Sequence, residues 1–270
     1  MKDYCLELVS RKDGYNAKLN TMREYLQAYT LRIMYDEGVF RSAAFLGGTA
    51  LRFLYGLPRF SEDIDLSSAG KLPVNFEALL KKIMSELAAA GYDASISRSG
   101  QKTVNSAFIK FSGLMFEAGI SPLKSQKFSI KIEIDTDPLQ GAIFETQIVN
   151  KYFPISFLSY EINSLFAGKL HALLSRRYTK GRDYFDLGWY LSKWKGIEPN
   201  FTLLENALIQ TGWDKDLPEK ENWRDFIYKV VEHTDWKKVK QDVEPFLENP
   251  SDLNIFSKEN TLQLLRSKVP

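Results

Sequence analysis

Apolar and polar positions follow two periods along this chain, and the pattern changes near residue 155. Before that point, stretches with period two alternate with stretches at helical spacing; after it, helical spacing continues without a β-branched run. The pattern predicts helices at 18–37, 49–55 and 74–90, strands at 43–46, 62–67, 92–98, 104–112, 127–136 and 143–149, then helices at 159–177, 182–194, 200–210, 221–232, 234–247 and 252–267. We therefore expect an α+β protein, with an α/β domain containing a mixed sheet over 1–155 and an all-helical domain over 156–270.

Composition narrows the chemistry that such a protein can perform. The 270 residues are 44% hydrophobic and 26% charged, which indicates a globular core. One cysteine and two histidines leave acid–base and metal chemistry mainly to carboxylates and lysine. A net charge of +2 restricts any nucleic-acid surface to a local patch. The chain has no membrane-length apolar run and no signal-peptide core at its start, so we expect it in the cytoplasm.

A glycine pair stands where the strand predicted at 43–46 ends. Gly47 and Gly48 could simply form a tight turn, but they would also let a phosphate approach the backbone at the start of the next helix. Thr49 would cap that helix and offer its hydroxyl to the same phosphate. The segment therefore predicts a phosphate cradle.

Two carboxylates share one face of the next predicted strand. Asp63 and Asp65 point the same way because alternate strand residues do, and such a pair can bind a hard divalent cation. The same period places Ser61 on that face, either as a metal or phosphate contact or as a structural residue. Because metal and phosphate sites would lie close together, the pattern favours nucleotide chemistry over a solvated strand face.

A third carboxylate comes from the strand predicted at 127–136. Lys131, Glu133 and Asp135 share its polar face. If this strand lies beside the Asp63 strand, Glu133 or Asp135 becomes a third acid of the metal site and a possible general base, with Glu133 favoured. A solvated face with an internal ion pair is the alternative.

The helical part carries inward-facing charges. Lys169 lies on the apolar stripe of its helix and needs an anionic partner, either a nucleotide phosphate or an internal carboxylate. Asp183 and Asp186, which follow Arg182, lie on the buried stripe of the next helix and would face Lys169. These residues either serve the nucleotide or clamp two helices together, and the two roles are compatible.

Taken together, these segments resemble the AbiEii nucleotidyltransferase-like family, within the DNA polymerase β-type nucleotidyltransferase superfamily. The resemblance rests on Phe45-Leu46-Gly47-Gly48-Thr49-Ala50-Leu51-Arg52, Arg59-Phe60-Ser61-Glu62-Asp63-Ile64-Asp65-Leu66, Lys131-Ile132-Glu133-Ile134, Lys169 and Arg182-Asp183-x-x-Asp186-Leu187. One departure is Thr49, which stands where the superfamily pattern has serine but keeps the hydroxyl.

The resemblance implies an N-terminal nucleotidyltransferase domain, a helical C-terminal domain and transfer of a nucleoside monophosphate from an NTP to an acceptor hydroxyl. It also implies Mg²⁺ or Mn²⁺ held by Asp63, Asp65 and Glu133, which would be catalytic together with Lys169. Lys169 would neutralise charge on the phosphates and so stabilise the negative charge that develops in the transition state. The nucleotide would be held by Gly47, Gly48, Thr49, Ser61, Arg182, Asp183 and Asp186. A tRNA or other RNA end is the favoured acceptor, and a cognate antitoxin is the expected partner of a toxin.

Two other functions fit the same residues. A catalytically silent protein with this fold could act by binding a partner or RNA. A metal-dependent nuclease would use the carboxylates but has no need of a triphosphate cradle. The NTP, the acceptor and the oligomeric state do not follow from the sequence.

Overall fold

The computed structural model describes residues 1–70, 73–101 and 103–267. The described residues form two compact units. Unit 1 comprises Met1–Gly56, Phe60–Pro138 and Phe144–Ser159, and unit 2 comprises Leu57–Arg59, Leu139–Ile143 and the chain from Tyr160 onward. The domain boundary near 155 stays a prediction, and residues 71, 72, 102 and 268–270 of the predicted domains lie outside the described residues.

Unit 1 combines helices with a mixed sheet. Its elements are α1 (Lys2–Ser10), α2 (Tyr15–Asp36), β1 (Ala43–Leu46), α3 (Gly47–Tyr55), β2 (Asp63–Ser68), α4 (Phe76–Ala89), β3 (Ala94–Gln101), β4 (Val104–Phe111), α5 (Leu114–Glu117), β5 (Phe128–Asp135), β6 (Phe144–Asn150) and β7 (Pro154–Tyr160). Within the described residues, seven strands form one sheet in the order β3-β4-β5-β2-β1-β7-β6. β2 pairs parallel with β5 and antiparallel with β1, so it lies near the middle of the sheet.

The core of unit 1 lies on one face of this sheet. Ile64 and Leu66 of β2 and Ile132 of β5 are buried there, and α2 packs against β5 and α4. Because alternate strand residues point to opposite faces, burying these apolar residues directs their polar neighbours to the other face. The core therefore decides which way the candidate site residues point.

Helix α2 is buried more completely than an amphipathic helix on a surface would be. Its polar residues Arg23, Glu24 and Gln27 are buried together with its apolar ones. Glu24 accepts hydrogen bonds from Arg52 Nε at 2.5 Å and from Lys151 Nζ at 2.8 Å. Buried charges need such partners, and the polar side of α2 supplies them within unit 1.

Unit 2 consists mainly of helices. They are α6 (Ile162–Ser175), α7 (Gly181–Lys193), α8 (Phe201–Gln210), α9 (Trp223–His233), α10 (Trp236–Val243), α11 (Asp252–Ile255) and α12 (Lys258–Arg266). α7 packs against α6, α10 and α12 and so lies at the centre of this unit. No helix in the described part of the chain is both long and apolar enough to cross a lipid bilayer.

The predicted α+β architecture is confirmed, with three local differences. α1, α5 and β7 were not predicted; β7 alternates buried Ile155 and Phe157 with less buried neighbours, which is a strand pattern. The helix predicted at 234–247 ends at Val243, and Pro245 lies in the 3₁₀ turn that follows. The helix predicted at 252–267 is two helices, and Ser257 caps the second.

The start of α7 requires a glycine. A Cβ on Gly181 would lie 2.1 Å from the carbonyl oxygen of Val239, a backbone atom that cannot move without shifting α10. We expect Gly181→Ala to lower the free energy of unfolding by about 1–3 kcal/mol, the usual cost of overpacking. Urea denaturation would measure this change.

Gly188, in the middle of the same helix, is the matched control. A Cβ there would meet its nearest neighbour at 3.9 Å, which is ordinary contact. Gly188→Ala should leave stability unchanged or raise it by up to about 1 kcal/mol, because alanine favours helix over glycine. Equal effects of the two substitutions would show that the close approach at Gly181 does not limit stability.

Candidate active site

The register between β2 and β5 brings the predicted acidic residues together. Asp65 lies opposite Glu133, and Asp63 lies opposite Lys131. All four side chains belong to the half-buried, polar face of the two strands, since the residues between them are buried on the core side. The expectation that the Glu133 strand lies beside the Asp63 strand is confirmed.

Lys131 is the cation among these carboxylates. Its Nζ lies 2.8 Å from Glu133 Oε2. Burial lowers the pKa of Lys131, but the hydrogen bond to Glu133 and the charges of Glu133, Asp63 and Asp65 outweigh burial, so the pKa is raised. This part of the sheet is therefore an environment that favours positive charge.

The chemistry of the three carboxylates suits a divalent cation. Carboxylate oxygens are the preferred ligands of Mg²⁺, and the pairing of β2 with β5 places Asp63, Asp65 and Glu133 on one polar face. In the described part of the chain, no three His, Cys, Asp or Glu side chains are already arranged around a single ion position. Glu133 is paired with Lys131, so it would have to exchange that partner to act as the third ligand.

Gly47 joins the glycine turn to the carboxylates. Its φ of +80° is in the left-handed region that favours glycine. A Cβ at this position would lie 2.3 Å from Asp65 Oδ2, so any side chain would displace the carboxylate. Two features that are separate in the sequence, the glycine turn and the acidic pair, are thus adjacent in space, and Gly48 lies buried in the first turn of α3.

Two details of the predicted cradle are wrong. Thr49 does not cap α3, because the helix already begins at Gly47; its hydroxyl is fully buried and donates a hydrogen bond to the backbone carbonyl of Asp63. Ser61 precedes β2, which begins at Asp63, so alternation within the strand does not fix the direction of its side chain. The backbone carbonyl of Ser61 accepts a hydrogen bond from Gln27 Nε2 at 3.1 Å. Direct roles of Thr49 and Ser61 in nucleotide binding stay predictions.

Sequence reasoning missed the support that α2 gives to this region. Gln27 donates a hydrogen bond to the segment before β2, and Glu24 pairs with Arg52 of α3, the helix that begins at Gly47. The sequence does contain a signal for the Glu24–Arg52 pair. Arg52 lies on a short, largely apolar helix, and an inward-facing arginine needs an anionic partner because burying an unpaired charge is costly. The partner residues are remote in the sequence, so local patterns do not identify them.

The charges predicted in the helical part also come together, within unit 2. Lys169 Nζ lies 3.2 Å from Asp183 Oδ1 and 2.6 Å from Asp186 Oδ2. Arg176 binds Asp183 at 2.6 Å. Arg59, to which the sequence analysis assigned no role of its own, binds Asp186 through two hydrogen bonds of 2.6 Å. The internal carboxylate partner of Lys169 is thus observed, and the role of Lys169, Asp183 and Asp186 toward a nucleotide stays a prediction.

This cluster carries more positive than negative charge. Two carboxylates, Asp183 and Asp186, face the three cations Lys169, Arg176 and Arg59. Burial would raise the pKa of Asp186, but the charges and hydrogen bonds of Arg59 and Lys169 lower it overall. The cluster therefore favours the ionised form of Asp186.

Arg182 faces a different neighbour from the adjacent Asp183. Its backbone N–H donates to Asp242 Oδ2 at 3.3 Å, and its guanidinium lies 4.2 Å from the centre of the Phe246 ring. Arg182 thus contacts Asp242 and Phe246. Its predicted nucleotide-binding role stays a prediction.

The Gly47–Gly48 segment directly follows β1, and the acidic strand β2 and the carboxylate of Glu133 beside it belong to the same mixed sheet, an arrangement that fits the nucleotidyltransferase class. The family model described as nucleotidyl transferase AbiEii toxin, type IV TA system, matches residues 31–258, so the chain belongs to this family. No curated protein is detectably similar in sequence.

Two solved structures from Helicobacter pylori share the fold. A candidate nucleotidyltransferase is 19% identical, with a TM-score of 0.54 over 90% of this chain and 89% of that chain. The protein JHP933 is 18% identical, with a TM-score of 0.52 over 91% of this chain and 88% of that chain. At these identities the likeness concerns the fold alone.

The buried ion pairs of Asp186 generate a test of stability. Removing one partner of a buried pair leaves the other charge uncompensated, so we expect Asp186→Ala to lower the free energy of unfolding by about 3–5 kcal/mol. Asp242→Ala is the matched control, because this carboxylate is more exposed and lies 4.0 Å from Arg182 Nε; its cost should stay below about 1 kcal/mol.

The same contacts predict an acid dependence. The pKa of Asp186 in the folded protein is below its unfolded value of 3.8. The stabilisation that its ionised carboxylate gives to the folded state is therefore fully present above pH 3.8 and is lost as pH falls through the folded pKa. The stability difference between wild type and Asp186→Asn should therefore narrow on acidification, as measured by urea denaturation. A difference that is independent of pH below 3.8 would contradict the lowered pKa.

Proposed function

We propose that this protein uses a divalent metal, Mg²⁺ or Mn²⁺, to transfer a nucleoside monophosphate from an NTP to an acceptor hydroxyl, with an RNA end such as that of tRNA as the favoured acceptor. The observation that carries the proposal is the β2–β5 register, which places Glu133 beside Asp65 while Gly47 lies against the Asp65 carboxylate. Membership of a nucleotidyltransferase family supports the reaction class.

The chain's own residues divide the chemistry between binding and proton transfer. Asp63 and Asp65 hold the metal, and the backbone at Gly47 and Gly48 approaches the triphosphate. When bound, the metal neutralises phosphate charge and polarises the α-phosphoryl group. Glu133 accepts the proton of the acceptor hydroxyl, whose oxygen forms a bond to the α-phosphorus as the bond to the bridging oxygen breaks and pyrophosphate leaves.

The proposed biological role is that of the toxin of a type IV toxin–antitoxin or abortive-infection system. The family description supports this context and implies a cognate antitoxin as partner. Modifying an RNA that the cell needs would inhibit growth, and the antitoxin would relieve that inhibition. We further propose that the protein acts in the cytoplasm, where NTPs and RNA are available.

Removing a metal ligand should abolish transfer while preserving the fold. We expect Asp63→Asn to reduce incorporation of labelled NTP into total RNA by about 100-fold or more. Even residues that only orient a metal ligand through a hydrogen bond change metal affinity or activity by about 10–100-fold. Incorporation with each NTP, with RNA and with protein extract as acceptors, is the measurement. Asp36→Asn, which alters an exposed carboxylate on α2 paired with Arg32, should retain activity. Wild type that incorporates no NTP into any acceptor would favour a catalytically silent binding protein.

A second test distinguishes the two candidates for the third acid. Glu133 lies opposite Asp65, whereas Asp135 lies opposite Ser67 and its Oδ1 accepts a hydrogen bond from the Asp137 backbone N–H. Loss of a general base costs about 10²–10⁴-fold in kcat, so Glu133→Gln should fall in that range and Asp135→Asn should change kcat by less than about tenfold. The reverse order of effects would assign the third acid to Asp135.

A further inference from the structure

A polar pocket of about 300 Å³ borders Asp63 on the side of β2 that faces β5 and β4. The first turns of α2, the residues before β5 and the strands β4 and β5 line it. Its volume is at the small end of the range for ligand sites, which suits one nucleotide unit. All lining residues belong to unit 1.

The order of the strands places this pocket opposite the glycine turn. β1, which leads into Gly47 and Gly48, flanks β2 on one side, and β5 and β4 follow on the other. In phosphoryl transfer the attacking and leaving oxygens lie roughly in line across the phosphorus. If the triphosphate occupies the glycine side, the attacking acceptor must therefore approach from the pocket side.

The side chains that line the pocket suit an acceptor that carries a negatively charged phosphate and a nucleobase. Lys127 is exposed and makes no ion pair with any residue in the described part of the chain. Tyr15, at the first position of α2, is 52% exposed, and Phe108 is half-buried. Cations that neutralise a phosphate, beside aromatic rings on which a base can stack, are the features that bind single-stranded nucleic acid.

We infer that this pocket, which we call the acceptor pocket, binds the 3′-terminal nucleotide of an RNA acceptor, with Lys127 on its phosphate and Tyr15 against its base. The inference rests on the proposed function, because it assumes that the triphosphate lies at the glycine turn. It assigns to two residues, which no sequence pattern singled out, the task of placing the acceptor hydroxyl near Asp63.

Direct binding tests the acceptor pocket independently of transfer. Fluorescence anisotropy would measure the Kd of the full chain for a short single-stranded RNA with a free 3′ end, without NTP. We expect Lys127→Glu to weaken binding about tenfold, and Lys127→Ala to reduce the dependence of log Kd on log salt by about one unit, because one phosphate contact is lost. Lys124→Glu and Lys124→Ala are the matched controls, because Lys124 lies in the same exposed segment but over the Phe116 ring, outside the pocket.

The proposed stacking of Tyr15 on the base is tested by a second pair of variants, both on α2. Tyr15→Ala should weaken RNA binding by about tenfold, the lower part of the range for a stacked base. Tyr35→Ala, which alters a 39% exposed tyrosine in the last turn of α2, should have no effect. A circular RNA of the same sequence should bind more weakly than the linear RNA, because it has no end to insert.

The outcomes separate this inference from the proposed function. Wild type that binds no RNA, or variants of Lys127 and Tyr15 that bind as wild type does, would overturn the acceptor pocket even if labelled NTP is transferred to protein or to a small molecule. Variants that raise the KM for NTP and leave RNA binding unchanged would assign the pocket to the nucleotide and also overturn it. RNA binding that depends on both residues, with no transfer to any acceptor, would keep the pocket and overturn the enzymatic proposal.

Discussion

The parallel pairing of β2 with β5 is the constraint on which the rest of the site depends. It places Asp63, Asp65 and Glu133 on one polar face, where their charges would repel one another without a cation. Lys131 supplies that cation within the same face. A shift of one residue in this register would turn the carboxylates into the apolar core, so the burial of Ile64 and Ile132 fixes the geometry of the site.

The order of strands around β2 gives the site two distinct sides. β1 and the turn at Gly47 lie on one side, and the pocket containing Lys127 and Tyr15 lies on the other. A displacement at phosphorus needs this division, because the leaving and attacking groups approach from opposite directions. Under the proposed function, the two neighbours of this central strand would separate a place for the triphosphate from a place for the acceptor.

Local periodicity was sufficient to predict which side chains share a face but not all of their contacts. The shared face of Asp63 and Asp65 follows from period two within one strand, and the buried stripe of α7 predicted inward carboxylates at Asp183 and Asp186. Arg59 could not be assigned, because its partner Asp186 is remote in the sequence and its own neighbours are typical of a turn. Thr49 was misplaced for the opposite reason: a hydroxyl after two glycines is typical of a helix cap, whereas α3 starts at the first glycine and buries the hydroxyl.

Lys169 shows why an inward charge alone does not identify a ligand. Its ammonium group needs an anion, and Asp183 and Asp186 provide one within the same unit, so a phosphate is not required to explain its burial. Arg176 and Arg59 also bind these two carboxylates, so the five side chains together carry one surplus positive charge. Next to them, burial lowers the pKa of Lys180, and the charges of Arg182, Arg176 and Lys169 lower it further, against the opposing charge of Asp183. A cluster that is internally paired and still positive can stabilise the helices and attract an anion at the same time, so the structural and the functional explanation of Lys169 do not exclude each other.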